Sequence, residues 1–360
     1  MDMADLALGI DVGGTKVAAV LLDAQGAVLA RERGPVAPES NQAGLESIFR
    51  VVDRLLDAHP EARGRLLGIG VGAPGAIDWR AGVLRGATNL GWRDLPLAQA
   101  LRDRYGVPAV ADNDVNVAAW GERCFGATAH DQGQPPDGGG AMPPSSGTPR
   151  PADHLVFITV GTGIGSGIVE SGRIVRGQRS AGELGHIPLV ENGPACKCGM
   201  IGCLEAVAAG PAFTAAARRL AREGHAPLLL AMAHGNAEAI EAPQVVEAAR
   251  RGDPGARQLL DREGYYLALA VLIASRMLDP ERVVIGGGLA EAGQPLFEAI
   301  WSNLARLRPR GPDPRRYAVP SRLGADAGAI GAGSLVLIPE PGFVQAGLLP
   351  AGRSLGAGLP

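Results

Sequence analysis

Short apolar runs separated by glycine turns open both halves of the chain. The run LALGID is followed by the turn VGGT, by a second run, KVAAVLLD, and by a third strand predicted at GAVLARER. The stretch VFITVGTGIGSGIVESGRIV, which covers residues 156–175, repeats this order of strand, glycine turn, strand, tight turn and strand. Two similar halves, each beginning with a β-hairpin, predict a two-lobed α/β protein with a cleft between the lobes.

The remaining pattern predicts helices and further buried strands. Apolar residues recur at helical spacing, as at Leu45, Ile48, Phe49, Val52 and Leu56. Buried strands are predicted at RLLGIGVG, VPAVAD and RVVIGGGLA. The predicted helices cover residues 42–58, 95–105, 115–124, 204–223, 261–278, 294–307 and 326–337.

Two segments are too rich in glycine, proline and small polar residues to bury apolar surface. Residues 127–152 read ATAHDQGQPPDGGGAMPPSSGTPRPA and are predicted to be a disordered insertion, and residues 339–360 are predicted to be a flexible tail. Between them, we expect an N-terminal α/β lobe over 1–118, a C-terminal lobe over 119–325, and a helix over 326–338 that packs back on the N-terminal lobe.

Composition narrows the class of protein. Hydrophobic residues make up 46% of the 360 residues, which is enough for a sizeable core. The formal net charge is −3 and aromatic residues are only 4%, so neither charge nor base stacking favours a nucleic-acid partner. No run approaches the roughly 18 apolar residues of a membrane span, and the start MDMADLALGID does not resemble a signal peptide. We therefore expect a cytoplasmic protein without a membrane or nucleic-acid partner.

Three of the four cysteines lie close together behind a histidine. The spacing H-x9-C-x-C-x4-C joins His186, Cys196, Cys198 and Cys203. Three thiolates and one imidazole suit tetrahedral zinc, and four protein ligands leave no open position for a catalytic water, so the predicted site is structural. The alternative is three free thiols beside an unrelated histidine. The remaining cysteine, Cys124, is predicted to be a small buried thiol.

Glycine turns and acidic residues supply the other candidate chemistry. The turns DVGGTK and GTGIG bring backbone N–H groups within reach of a phosphate, although neither is a Walker loop. Asp114 follows a predicted strand and is a candidate general base, but Asp112, Asn113 or Asp114 could equally cap the next helix. Glu183 and Glu205 flank the cysteine cluster and are either solvated surface residues or acceptors for sugar hydroxyls.

These motifs together resemble one family. DVGGTK, APG, NDVN, GTGIGSG, GELGH and CKCGMIGCLE occur in the order found in the ROK family of sugar kinases and repressors. The resemblance covers about residues 5–335 apart from 127–152, and TNLGWRD is most similar to the bacterial glucokinases of that family. It implies an actin-like, ribonuclease-H-like two-lobed fold with the active site in the cleft between the lobes.

The resemblance also implies roles for individual residues. Asp114 would be the catalytic base on the sugar 6-hydroxyl, and Asp11 would orient Mg²⁺ and its waters. The residues implied to hold the sugar are Asn89, Asn113, Asp114, Glu183, His186 and Glu205. Those implied at ATP and Mg²⁺ are Asp11, Gly13, Gly14, Thr15, Lys16, Thr162, Gly163, Gly287 and Gly288, with Lys16 placed there by its motif alone. Those implied to bind a structural Zn²⁺ are His186, Cys196, Cys198 and Cys203.

The expected activity is ATP-dependent phosphorylation of glucose at its 6-hydroxyl. N-acetylglucosamine, N-acetylmannosamine, mannose and fructose stay open as substrates, and polyphosphate stays open as a donor. The alternative from another class is a non-catalytic, sugar-sensing regulator. The repressors of the family carry a DNA-binding segment ahead of the sugar domain, for which we expect no room in the ten residues before Asp11. The family also leads us to expect a homodimer or a higher homo-oligomer.

Overall fold

The structure is a computed structural model that describes residues 5–87, 89–129, 151–178 and 181–351. Most of the predicted insertion at 127–152 and the end of the predicted tail therefore lie outside the described residues. The strands are β1 (Leu6–Val12), β2 (Lys16–Leu22), β3 (Val28–Pro35), β4 (Leu66–Ala73), β5 (Ala76–Asp78), β6 (Val83–Ala87), β7 (Trp92–Leu95), β8 (Ala109–Asn113), β9 (Leu155–Val160), β10 (Ile164–Glu170), β11 (Arg173–Ile174), β12 (Arg282–Gly286) and β13 (Ala318–Pro320).

Two five-stranded sheets share one strand order. The first runs β3-β2-β1-β4-β8 and the second β11-β10-β9-β12-β13. In each sheet, the three strands that come first in sequence pair antiparallel, and the remaining two add on in parallel. The central strands β1 and β9 are buried along nearly their whole length, as expected for strands covered on both faces. The repeated sequence pattern predicts two similar halves, and the shared strand order agrees with it.

The helices mostly follow the predicted positions. They are α1 (Asn41–Ala58), α2 (Leu97–Tyr105), α3 (Asp114–Cys124), α4 (Leu204–Ala208), α5 (Gly210–Arg222), α6 (Pro227–Met232), α7 (Ala242–Arg250), α8 (Pro254–Leu278), α9 (Gln294–Leu307), α10 (Pro314–Tyr317), α11 (Ala327–Leu337) and α12 (Pro341–Gln345). Among the described residues, no helix combines the length and the apolar character that a membrane span requires.

Two helix predictions need correction. The single helix predicted over 204–223 is two helices, because Ala209 is extended (φ −71°, ψ 158°) and Pro211, which has no backbone N–H, lies in the first turn of a new helix that begins at Gly210. The helix predicted from residue 261 begins at Pro254, where the Asp253 side chain accepts a hydrogen bond from the Ala256 N–H at 2.9 Å. The pattern also failed to predict α6, α7 and the three-stranded sheet β5-β6-β7.

The described part of the C-terminal tail is folded. Phe343 on α12 is fully buried and Glu340 is 1% exposed. This differs from the flexible segment that the composition predicts from residue 339. One aromatic ring and one buried carboxylate are enough to anchor the segment, and a composition average does not register them.

Helix α11 is buried on all sides, and glycines let it approach its neighbours. A Cβ on Gly9 of β1 would lie 1.9 Å from the Ala329 carbonyl oxygen, and one on Gly70 of β4 would lie 1.8 Å from the Ala332 oxygen. On the opposite side, a Cβ on Gly331 would lie 1.9 Å from the Val117 oxygen of α3. The glycines therefore seat α11 between the first sheet and α3, the helix that begins with Asp114.

Gly70→Ala should destabilise the protein, because the new methyl group would overlap the backbone of α11. We expect the free energy of unfolding to fall by about 1–3 kcal/mol or more, measured by urea denaturation. Gly64→Ala is the matched control, since a Cβ there meets open space, and its effect should stay within about 0.5 kcal/mol. Equal stability of the two variants would contradict this close packing.

Candidate active site

A cleft of about 980 Å³ brings together residues that are far apart in the sequence. Its walls come from the turn after β4, the start of α3, the β9–β10 turn, the 3₁₀ turn Leu184–His186 and the start of α4. The predicted site residues that line it are Asn89, Asn113, Asp114, Gly163, Glu183, His186 and Glu205.

Asp114 lies at the base of the cleft, as the first residue of α3. Asn113 is the helix cap, because its Oδ1 accepts hydrogen bonds from the N–H groups of Val115 at 3.0 Å and Asn116 at 3.3 Å. Asp114 Oδ1 lies 3.0 Å from the same Val115 N–H and only shares that donor. Capping therefore falls to Asn113, which leaves the Asp114 carboxyl available to a ligand in the cleft.

Burial controls the charge of this carboxyl. The pKa of Asp114 is raised to about 7, chiefly by desolvation and secondly by the nearby Asp11 carboxylate. Hydrogen bonding to the Val115 N–H opposes the shift. A carboxyl that titrates near neutral pH is suited to accept a proton from a hydroxyl and to release it again.

Asp11 is a second half-buried acidic residue with a raised pKa, at the end of β1. Desolvation raises its pKa to about 6, against the opposing charges of Lys16 and Arg33. The Asp11 side chain packs against the start of α11, since a Cβ placed on Gly328 would be 2.7 Å from the Asp11 Cγ. Because the Asp11 carboxylate raises the pKa of Asp114, the two negative charges repel each other, and a divalent cation between them would relieve that repulsion.

The two acidic side chains that flank the cysteine cluster differ in how firmly the fold holds them. Glu205 on α4 accepts a hydrogen bond from the Ile164 N–H at 2.9 Å. Its Oε2 would lie only 2.5 Å from a Cβ placed on Gly163, so the glycine leaves room for this carboxylate. Glu183 Oε2 is 3.8 Å from His186 Nε2. Both carboxylates line the cleft, Glu205 half-buried and Glu183 with a side chain that is 57% exposed.

The predicted metal ligands converge. The ligand atoms of His186, Cys196, Cys198 and Cys203 all lie within 4.8 Å of one another. His186 Nδ1 is 3.6 Å from Cys196 Sγ, and the Cys198 and Cys203 sulfurs are 3.7 Å apart. Tetrahedral zinc with Zn–S bonds of about 2.3 Å and Zn–N bonds of about 2.0–2.1 Å sets these separations at about 3.6 and 3.8 Å. The donor set thus fits a zinc ion.

The residues predicted at ATP lie in tight turns and in a second cavity. The Gly13 N–H donates to the Lys16 carbonyl at 2.8 Å, and the Gly161 N–H donates to the Gly163 carbonyl at 2.9 Å, so both hairpins end in closed turns. Gly288, after β12, lines a cavity of about 310 Å³ together with α7. The predicted residues outside the walls of the main cleft are Asp11, Gly13, Gly14, Thr15, Lys16, Thr162, Gly287 and Gly288.

Sequence reasoning missed several residues of the cleft wall, among them Trp79 and Arg176. Trp79 directly follows β5, and Arg176 lies two residues after β11. Neither belongs to a recognisable motif. Asp112 also lines the cleft and had been considered only as a possible helix cap. A buried arginine close to a strand end carries no local signal, because its partners come from distant segments.

A model of the ROK family matches residues 7–133 and 147–338. The chain belongs to the ROK family. It is 36% identical over 336 residues to a glucokinase of Halalkalibacterium halodurans, covering 91% of this chain and 94% of that one. It is 29% identical over 297 residues to a putative xylose repressor of a Caldicellulosiruptor species, covering 82% of this chain and 69% of that one.

A solved structure gives the same picture of the ROK fold. The ROK family glucokinase of Streptomyces griseus, in complex with glucose and AMPPNP, superposes with a TM-score of 0.73 at 31% identity, covering 92% of this chain and 98% of that one. The predicted resemblance to the family and the predicted two-lobed, actin-like fold are confirmed.

Proposed function

We propose that this ROK protein is a sugar kinase that transfers the γ-phosphoryl group of ATP to the 6-hydroxyl of glucose. The observation that carries the proposal is the Asp114 carboxyl, which lies at the base of the cleft with a pKa raised to about 7. The proposal is supported by the similarity to glucokinases and to a glucokinase structure that holds glucose and an ATP analogue.

Asp114 would act as the general base. It would accept the proton of the 6-hydroxyl as that oxygen attacks the γ-phosphorus, while positioning supplies most of the rate enhancement. The sugar would be oriented by hydrogen bonds to the polar side chains of the cleft. These are Asn89, Asn113, Glu183, His186 and Glu205.

ATP would lie along the two glycine turns. The phosphates would contact the N–H groups near Gly13, Gly14, Thr15, Thr162 and Gly163, and the adenosine would occupy the cavity beside Gly287 and Gly288. Mg²⁺ would bind near Asp11, because a cation that prefers oxygen ligands would offset the repulsion between Asp11 and Asp114 there. When bound, it supplies charge neutralisation at the phosphates.

A structural zinc would fix the sugar-binding side chains. His186 presents Nδ1 to the cysteines and Nε2 to Glu183, so a metal on Nδ1 sets the direction of the other ring nitrogen. Cys203 directly precedes α4, which carries Glu205. The same metal would therefore also fix the start of the helix that holds this carboxylate.

A sugar-sensing regulator is the second candidate function. It is supported by the 29% identity to a putative xylose repressor. A regulator needs only to bind sugar, however, and gains nothing from a buried carboxyl with a raised pKa, since an ionised group is costly there. The Asp114 environment therefore favours the kinase.

The test is a coupled ADP-release assay with ATP and Mg²⁺ across glucose, mannose, fructose, N-acetylglucosamine and N-acetylmannosamine. We expect kcat/KM for glucose to exceed that for each other sugar by at least about 10-fold. Preference for an N-acetylated sugar would support the kinase activity but contradict glucose as the substrate. Absence of turnover by a folded, zinc-loaded sample, with ATP or with polyphosphate, would favour the regulator.

A further inference from the structure

The buried guanidinium of Arg176 bonds Asp112, two residues before the proposed general base Asp114. Arg176 Nε donates to Asp112 Oδ2 at 2.7 Å, and its Nη2 donates to Glu340 Oε2 at 2.9 Å. The exposed fractions of the three side chains are 10%, 3% and 1%. An ion network with so little water is weakly screened, so its geometry is tightly fixed.

The network continues into the residues next to Asp114. Asp112 Oδ1 accepts hydrogen bonds from the Asn113 N–H at 2.8 Å and from Asn116 Nδ2 at 3.0 Å. Asn113 in turn caps α3, as described above. Asp112 therefore holds the Asn113 backbone and the Asn116 side chain, on either side of Asp114, and Arg176 holds Asp112.

The other end of the network is the C-terminal segment. Glu340 Oε1 accepts from the Ile174 N–H at 3.2 Å, and Oε2 also accepts from the Gly342 N–H at 3.0 Å. The carboxylate thus joins α12 to β11. Glu340 lies beyond residue 338, where the match to the family model ends.

Aromatic rings enclose the guanidinium. Arg176 Cζ lies 4.3 Å from the centre of the Trp79 ring and 4.9 Å from that of Phe343, and the two rings meet edge to face at 5.3 Å. Trp79 also lines the cleft. The C-terminal segment therefore supports a wall of the cleft as well as the base near Asp114.

We propose that Arg176 is a positioning residue for the sugar and for Asp114, and that the C-terminal segment at Glu340 and Phe343 holds it in place. This inference rests on the proposed kinase function. Arg176 acts through other groups, because its nitrogens face Asp112, Glu340 and, at 3.5 Å, the Ile174 carbonyl oxygen. The segment that follows the family match thereby becomes part of the active-site support.

The matched control is Arg123, a second buried arginine with the same kinds of partner. Its side chain is 9% exposed, bonds Asp153 at 3.0 Å, and lies 5.0 Å from the centre of the Trp120 ring. It is in the last turn of α3, about 13 Å along the helix axis from Asp114. Arg123→Met should therefore lower the free energy of unfolding, as Arg176→Met does, without moving the start of α3.

The first measurement is hydrogen exchange of the ligand-free full chain. We expect Arg176→Met, and to a lesser degree Glu340→Gln, to increase the exchange rates of amides in residues 112–117 by about 10-fold. Arg123→Met should leave these rates unchanged. Unchanged rates in Arg176→Met would overturn the inference whether or not the protein is a kinase.

The second measurement separates positioning from general stability. Arg176→Met should lower kcat and raise the KM for the sugar, with kcat/KM falling about 10–100-fold, while the KM for ATP stays within about 2-fold. Arg176→Lys keeps the charge and should recover part of the loss. If Arg123→Met lost as much kcat/KM as Arg176→Met, the inference would be overturned but the proposed function would not. An inactive wild-type protein would contradict the proposed function, and the exchange rates would then decide the inference.

Discussion

Asp114→Asn should lower kcat by about 10²–10⁴-fold, because an amide cannot accept the proton of the sugar hydroxyl. Glucose affinity should change little, since the amide keeps the size and most of the hydrogen-bonding capacity of the carboxyl. The measurements are steady-state kinetics and isothermal titration with glucose. Near-normal turnover would contradict the role of Asp114 as a general base.

Stability and pH dependence provide the controls for this variant. Burial raises the pKa of Asp114, so the folded protein holds its carboxylate at a cost at neutral pH, and the neutral amide should leave Tm unchanged or raise it. In the wild type, the base is active when deprotonated, so kcat/KM should fall as the pH drops below about 7. This acidic limb should be absent from the residual activity of Asp114→Asn.

Cys198→Ser should lose the proposed zinc and weaken sugar binding by at least about 10-fold, because the ion orients His186 and the start of α4. Tm should fall as well, since metal binding contributes to folding stability. The measurements are metal content by mass spectrometry, thermal unfolding, and glucose titration. The exposed Cys198 is a suitable site, since its side chain has little packing role of its own.

Cys124→Ala is the matched control for the metal site. Cys124 is also a free cysteine, but it is buried in the core around α3 and far in sequence from the metal ligands. The control should keep its metal content and its glucose affinity. If Cys198→Ser lost the metal and kept full sugar affinity, the zinc would stabilise the fold without positioning the sugar.

The two experiments test different parts of one site. Asp114 lines the cleft from the start of α3, whereas Glu183, His186 and Glu205 line it from the 3₁₀ turn Leu184–His186 and the start of α4, beside the cysteine cluster. Asp114→Asn should therefore affect turnover with binding intact, and Cys198→Ser should affect binding first. If Asp114→Asn weakened glucose binding and Cys198→Ser lowered only turnover, the roles assigned to the two groups of residues would be reversed.

Local features of the sequence determined much of this protein. The repeated strand–turn–strand pattern predicts the two related sheets, and the cysteine spacing predicts the cluster of metal ligands. Both features act between residues that are close along the chain, where turn geometry and side-chain periodicity restrict the backbone. The motif order likewise predicted the ROK family.

Only the tertiary structure decided which residue caps α3, how α11 packs and what lies beneath Asp114. Asn113 rather than Asp114 takes the cap, and Gly70 makes room for a helix from the other end of the chain. Arg176 finds its carboxylates at positions 112 and 340. These contacts join distant segments whose separation is set by the packing of whole elements, so the local pattern of apolar and polar residues does not contain them.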